Sequence, residues 1–179
     1  MADVTRVLLI SGSTRAGSAN SALVRTAALV APPGLEAVVY EGLAALPHFN
    51  PDLDVSPLPP SVAALRSAID EADAVLFCTP EYAGTLPGSL KNLLDWCVGG
   101  TSLTDKPVGW INVAADPRRG TGASATLALV LGYVQARIVD EACVHIPVDR
   151  TDVTPDGLID SPTTRAAISQ ALGYLERAI

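Results

Sequence analysis

The sequence predicts an α/β fold: a five-stranded parallel sheet with helices on both faces. Three observations predict it. Short apolar runs alternate with longer helical patterns five times along the chain. Each run is almost continuously hydrophobic, as strands buried on both faces are. Hydrophobic residues make up 49% of the chain but aromatics only 4%, so the core is mostly Ala, Val and Leu, which suits helices packed on a sheet. The 179 residues read as one domain, 1–179.

The elements follow in order. Val4–Ile10 is an apolar strand that ends at the turn signal Ser11-Gly12. Asn20–Val30 is a helix with Leu23, Ala27 and Val30 on one face, and Ala37–Tyr40 is the second strand. Gly42–Pro60 holds many prolines and reads as a loop. Val62–Ala72 is the second helix, with Leu65 and Ile69 inward and Arg66 outward. Ala74–Cys78 is the third strand and stops at Thr79-Pro80. Pro87-Gly88 opens a third helix whose Leu90, Leu93, Leu94, Cys97 and Val98 follow helical spacing, with Pro well placed in a first turn. Val108–Val113, a helix through Ala123–Ala136, and the strand Ala142–Ile146 come next. Pro155-Asp156-Gly157 is a turn. The last helix covers Thr163–Ile179, with Ile168, Leu172, Leu175 and Ile179 inward. Five alternating strands favour the flavodoxin-like order 2-1-3-4-5, a three-layer sandwich, over a six-stranded dinucleotide fold.

Composition narrows the partners. The formal net charge of −7 argues against nucleic-acid or anionic-membrane surfaces. Met1 to Thr5 shows no signal-peptide layout, and the longest uncharged stretch, Gly120 to Ala136, is short for a membrane span. Cys78, Cys97 and Cys143 are odd in number with no close pair, so they read as reduced thiols of a cytoplasmic protein. No metal-ligand spacing is present. His48 and His145 are isolated, one in a loop and one in a strand.

In a 2-1-3-4-5 sheet the ligand crevice lies between the first and third strands, beyond their carboxyl ends. The loop there after the first strand is Ser11-Gly12-Ser13-Thr14-Arg15-Ala16-Gly17-Ser18-Ala19-Asn20. It combines small residues, hydroxyls, one cation and a helix start, which together suit a phosphate. It also reads as a plain strand-to-helix turn with Ser18 as N-cap. The loop after the third strand runs from Thr79 to Trp96. Gly84 and Gly88 leave room for a flat ligand, and Tyr82 offers a ring. Glu81 lacks a partner for general-base work and reads as a solvated or helix-capping carboxylate. Lys91 and Asp95 form an i, i+4 pair.

Together the two loops resemble the NADPH-dependent FMN reductase family, which also contains quinone, azo-dye and chromate reductases. The first matches G-S-x-R-x-x-S-x-N at Gly12, Ser13, Arg15, Ser18 and Asn20. The second matches P-E-Y-x-x-x-x-P-G-x-L-K-N-x-x-D-W at Pro80, Glu81, Tyr82, Pro87, Gly88, Leu90, Lys91, Asn92, Asp95 and Trp96, and Asp156-Gly157-Leu158 is a weaker third match. The resemblance implies that Ser13, Arg15, Ser18, Ala19 and Asn20 hold an FMN phosphate. Pro80, Glu81, Tyr82, Ala83 and Gly84 would line the isoalloxazine, mostly through backbone. It implies hydride transfer from NADPH or NADH to FMN, then oxidation by a small acceptor such as a flavin, quinone, azo compound or metal oxyanion. The chemistry is the cofactor's, so no catalytic side chain is required. A flavodoxin-type electron carrier without NAD(P)H oxidation is the alternative, disfavoured by Arg15 and by the few aromatics. A relative that has lost FMN is a third reading.

Two departures from the family pattern matter. Ala83 stands where members often have Asn. The loop after the fourth strand, usually Gly- and Ser-rich, is here Ala115-Asp116-Pro117-Arg118-Arg119-Gly120. Arg118 and Arg119 could meet the 2′-phosphate of NADPH, or be a solvated pair or an ion pair with Asp116. The loops around Phe49 and Arg118 are expected over the exposed flavin face. Finally, the fourth helix carries Ala125, Leu127, Ala128, Leu129, Val130, Leu131 and Val134 around most of its circumference, without a polar stripe. That predicts a homodimer or homotetramer, with Leu127 and Leu131 near the interface, or cover by the chain's own Gly42–Pro60 loop.

Overall fold

The computed structural model describes residues 4–116 and 118–179; Met1 to Asp3, where no leader layout was expected, and Pro117 lie outside the described residues. The elements are β1 (Thr5–Ser11), α1 (Ala19–Leu29), β2 (Leu35–Tyr40), α2 (Pro60–Asp70), β3 (Ala74–Cys78), α3 (Gly88–Asp95), β4 (Pro107–Asn112), α4 (Thr121–Tyr133), β5 (Arg137–His145) and α5 (Pro162–Glu176). The strands form one parallel sheet in the order β2-β1-β3-β4-β5.

Alternation along the strands builds the three layers. Val7 and Leu9 of β1, with Leu76 of β3, pack beneath α1 and α5. Leu8 and Ile10, with Val75 and Phe77, face the other way into α2, α3 and α4. Because both faces are covered, the central strands show no polar alternation, and β3 is fully buried along its length.

Several element ends differ from the sequence expectation. Helix α2 begins at Pro60, whose ring suits a first helical turn, and two 3₁₀ turns, Leu43–Ala45 and Pro51–Leu53, interrupt the preceding loop. Helix α3 stops at Asp95, which leaves Val98 exposed, and α5 stops at Glu176, which leaves Ile179 exposed. Helix α4 ends at Tyr133 rather than Ala136, because Gln135 turns into the left-handed region at φ 59°. Strand β5 then starts at Arg137, well before Ala142; it is an edge strand, and its exposed Arg137, Asp140 and Glu141 mask the apolar pattern.

The Gly42–Pro60 loop is tied to α2 and α3. Trp96 Nε1 and Asn92 Nδ2 both donate to the Pro47 carbonyl at 2.9 Å, and Phe49 N donates to Asn92 Oδ1 at 2.7 Å. Phe49 meets Trp96 edge-on, with ring centres 5.0 Å apart, so it packs on the core side of the loop rather than over a ligand face. Arg66 is not an outward residue either. Its guanidinium pairs with Asp54 at 2.7 Å and donates twice to the Trp96 carbonyl. Both side chains of the pair are about nine-tenths buried, at 14% and 13% exposure.

Truncating one member of such a pair strands the other charge, at a cost of about 3 kcal/mol. Arg66→Ala is therefore expected to lower unfolding stability by that amount in urea titrations. Asp54→Leu combined with Arg66→Met is expected to lose less than either truncation alone.

Candidate active site

The reversal of strand order sets the carboxyl ends of β1 and β3 side by side, and their loops meet closely. Gly12 N donates to the Cys78 carbonyl at 2.8 Å. A Cβ on Gly12 would fall 2.4 Å from Thr79 Oγ1 and 2.9 Å from Thr79 Cβ, so only glycine fits. Above this contact lies a cavity of about 670 Å³, roomy enough for a cofactor.

One end of the cavity is a cradle of donors. It is lined by Ser13, Arg15, Ser18, Ala19 and Asn20, all expected there from the sequence. The 11–20 loop carries no acidic residue. Ser18 is the N-cap of α1: its Oγ accepts from Ser21 N at 3.0 Å. The structural and the phosphate readings of this loop are thus compatible. The N–H groups of Ala19 and Asn20, in the first turn of α1, meet no acceptor among the described residues. Asn20 is buried and accepts the Cys78 thiol proton on Oδ1, at 3.3 Å, so its NH₂ remains for the cavity. Arg15 forms no ion pair among the described residues. Free backbone donors, hydroxyls and one unpaired guanidinium at a helix start fit a phosphate monoester.

Pro80, Glu81 and Tyr82 line the middle of the cavity. Ala83 and Gly84 do not border it; they form the turn of a small hairpin. Tyr82 and Thr85 exchange two backbone hydrogen bonds, of 3.0 and 3.1 Å, and both turn residues have positive φ, 51° and 76°. That is the geometry for which Asn-Gly is the favoured pair, so Ala83 carries a strained backbone. The hairpin docks on the start of α4, which has no side-chain cap of its own. Glu81 Oε2 accepts from Ala123 N at 3.1 Å and supplies the cap from 42 residues away. Thr85 and Thr126 hydroxyls meet at 2.8 Å. Gly122 makes the docking possible, since a Cβ there would sit 2.1 Å from the Gly84 carbonyl oxygen.

The far end comes from the loops after β4 and β5 and includes residues not anticipated from the sequence, notably Asn112, Asp149 and Arg150. Asn112 accepts from Ala114 N at 3.0 Å and donates to the Arg119 carbonyl at 2.8 Å, so it shapes the whole β4 loop. A polar residue closing an apolar strand at the carboxyl edge was the signal for it. Arg150, several residues beyond β5, had no such signal. His145 Nε2 donates to the Ala114 carbonyl at 2.6 Å, a structural tie. Arg118 and Arg119 part ways. Arg118 grips Asp116 through Nε and Nη2, at 3.0 and 2.9 Å, and holds that carboxyl below its ordinary range. Arg118 does not border the cavity, whereas Arg119 does.

The three cysteines favour the neutral thiol. Burial pushes the Cys78 thiol up strongly, Cys97 to about 12 and Cys143 to about 11, and all three are unpaired. Among the described residues no cluster of His, Cys, Asp or Glu could hold a metal ion, and no helix is long and apolar enough to cross a membrane.

Comparison with known proteins gives the site its context. Residues 5–151 match the family model for NADPH-dependent FMN reductase. An NAD(P)H-dependent FMN reductase of Pseudomonas aeruginosa is 43% identical over 179 residues, covering 98% of this chain and 96% of the relative. A quinone reductase of Escherichia coli K12 is 35% identical over 109 residues, 60% of this chain and 56% of the relative. Among solved structures, the flavoenzyme NAD(P)H:acceptor oxidoreductase FerB of Paracoccus denitrificans superposes with a TM-score of 0.82 at 28% identity, over 97% of this chain and 98% of FerB.

The hairpin makes a paired prediction. Ala83→Gly is expected to raise stability by about 1 kcal/mol through relief of its left-handed backbone. Gly122→Ala is expected to lower it by about 1–3 kcal/mol, because backbone must move. Thermal or urea unfolding of the two variants checks the opposite signs.

Proposed function

The chain belongs to the NADPH-dependent FMN reductase family, and from that premise we propose that its cavity holds FMN with the phosphate at Ser13, Arg15, Ser18, Ala19 and Asn20. Pro80, Glu81 and Tyr82 then face the isoalloxazine ring, and Ala83 and Gly84 support them from the turn behind. The observation that carries this assignment is an acid-free cradle of free N–H groups, hydroxyls and Arg15 in one cavity with Pro80, Glu81 and Tyr82, at the point where strand order reverses.

The activity is NAD(P)H-dependent oxidoreduction, with FMN as cofactor and a small molecule as acceptor. Bound FMN supplies the hydride and electron chemistry. The chain's own residues bind and orient. The free N–H groups at the start of α1 and the Arg15 guanidinium fix the phosphate end. Glu81, through its cap on α4, holds the Pro80–Tyr82 backbone in place for the ring. A carrier without its own NAD(P)H oxidation is not favoured by these relatives. Among acceptors, we favour flat ones such as quinones and flavins, which the names of the relatives support. The reducing cytoplasm is the compartment we assign, supported by three unpaired thiols and by the need for NAD(P)H. Stopped-flow flavin reduction with each nicotinamide, followed by an acceptor panel, tests the assignment as a whole.

A dimer is part of the proposal, with a correction to the face first expected. Leu127 and Leu131 are fully buried in the chain's own core. The outward stripe includes Ala125, Leu129 and Tyr133, one per turn, with Leu129 at 66% and Tyr133 at 87% exposure. The Gly42–Pro60 loop is tied to α2 and α3 and does not cover them. A second copy packed on this stripe, with the exposed Val98 beyond the end of α3 as its neighbour, supplies the cover.

Two outcomes are expected. Arg15→Ala loses a charge-assisted phosphate contact of about 1.5–3 kcal/mol, and so binds FMN roughly 10- to 100-fold more weakly; riboflavin affinity changes little. Equal losses for both ligands in fluorescence titrations would count against a phosphate role. Leu129→Glu is expected to convert a dimer into a folded monomer in sedimentation at micromolar concentration, and a wild-type monomer refutes the dimer.

A further inference from the structure

We propose that Arg119 and Arg150 form a second phosphate-binding subsite, which takes a phosphate of the nicotinamide reductant; the inference rests on the FMN assignment above. Both arginines border the cavity, at the end built by the loops after β4 and β5. The FMN phosphate cradle follows β1. In the order β1-β3-β4-β5, the strands that lead into the two arginine loops stand two and three spacings from β1, about 10 and 15 Å. Two arginines thus border the cavity away from the cradle, beside Asp116 and Asp149, and a single phosphate monoester at the cradle leaves them without a role.

The acids nearest the second end are already engaged. Asp116 is gripped by Arg118 on two atoms. Asp149 caps the turn Arg150–Asp152 by accepting from Thr151 N at 3.1 Å, and Asp152 Oδ2 accepts from Asp149 N at 3.0 Å in return. Neither Arg119 nor Arg150 has a carboxylate within ion-pair distance among the described residues. Their backbones are nonetheless held. Arg119 O accepts from Asn112 Nδ2, Arg119 N donates to the Asp116 carbonyl, and Arg150 opens a capped turn. Two guanidinium groups on fixed backbone, neither in an ion pair among the described residues although Asp116 and Asp149 lie nearby, are open to an anion that arrives from outside.

The reductant is such an anion. Its nicotinamide has to reach the ring slot beside Tyr82, so its phosphates trail toward the mouth. The protein carries a net charge of −7, which opposes an anionic substrate. Local cations at the mouth offset that repulsion. Arg118 stands apart, because its charge is paired with Asp116 and it does not border the cavity. The pair thus divides into a clamp, Arg118, and a substrate contact, Arg119.

The test is calorimetric titration of the FMN-loaded protein with 2′,5′-ADP, 5′-AMP and ADP, alongside kcat/KM for NADPH and NADH and the FMN content of each variant. Arg119→Ala and Arg150→Ala are each expected to weaken 2′,5′-ADP binding about 10-fold, with FMN content unchanged; Arg118→Ala is expected to lose less than either. If 5′-AMP, ADP and NADH are spared, the 2′-phosphate is the target; if ADP and NADH weaken in step, it is the pyrophosphate. Either result supports the subsite. Unchanged affinity for every probe overturns it, as does an Arg118→Ala loss equal to that of Arg119→Ala. Loss of FMN in the Arg119 or Arg150 variant also overturns it, by making these arginines cofactor ligands. A wild-type chain that holds no FMN overturns the underlying reading, and the subsite with it.

Discussion

The hydrogen bond from Gly12 N to the Cys78 carbonyl, 2.8 Å long, is the contact on which the carboxyl edge of the sheet depends. It carries the β1–β3 ladder one step past Ser11, where both chains turn away into loops. The step is open only because residue 12 has no side chain to meet Thr79. With the two loops fastened at their bases, the first turn of α1 faces the cavity with free N–H groups, and the Pro80–Tyr82 backbone passes alongside. Sheet topology chooses the place; this contact sets the spacing.

The long motif after β3 serves two purposes at once. Its first half, Pro80 to Tyr82, borders the cavity. Its second half does not. Asn92 and Trp96 converge on the Pro47 carbonyl, and the Trp96 carbonyl in turn receives Arg66. Lys91 and Asp95 are a surface pair on α3, at 2.6 Å, worth only tenths of a kcal/mol. A motif read as one unit is in fact a ligand loop joined to a bracket for a distant proline-rich segment. The bracket keeps that segment off α4, and so leaves the outer stripe of that helix open.

Strand order and strand identity were legible in the sequence because buried parallel strands write themselves as uninterrupted apolar runs. The bounds of β3 agree residue for residue with Ala74–Cys78. Boundaries failed where a different force decides. At Gln135 a left-handed turn ends α4, and no local composition announces it. Along β5 the edge position admits Asp140 and Glu141, so the strand reads as half its length. Helix α4 shows the same limit in another form: apolar all round, it offers no polar stripe to set its phase, and Leu127 could not be told from Leu129. The cavity lining was legible at the two loops that flank the reversal point. It was not legible at Arg150, whose approach depends on how far the chain travels after β5, nor in the fate of Arg118, which one nearby carboxylate decides.

The Tyr82–Thr85 hairpin is anchored at its base by Glu81 and by the Thr85–Thr126 hydroxyl pair, while its tip is in solvent. Its two turn residues contribute nothing to the sheet and do not border the cavity. Lengthening such a tip adds only a logarithmic closure entropy, about 0.6 kcal/mol for each doubling. The tip is therefore a graftable module. A longer or shorter tip would change what stands beside the cavity mouth, while the Gly12–Cys78 contact and the free start of α1 stay as they are.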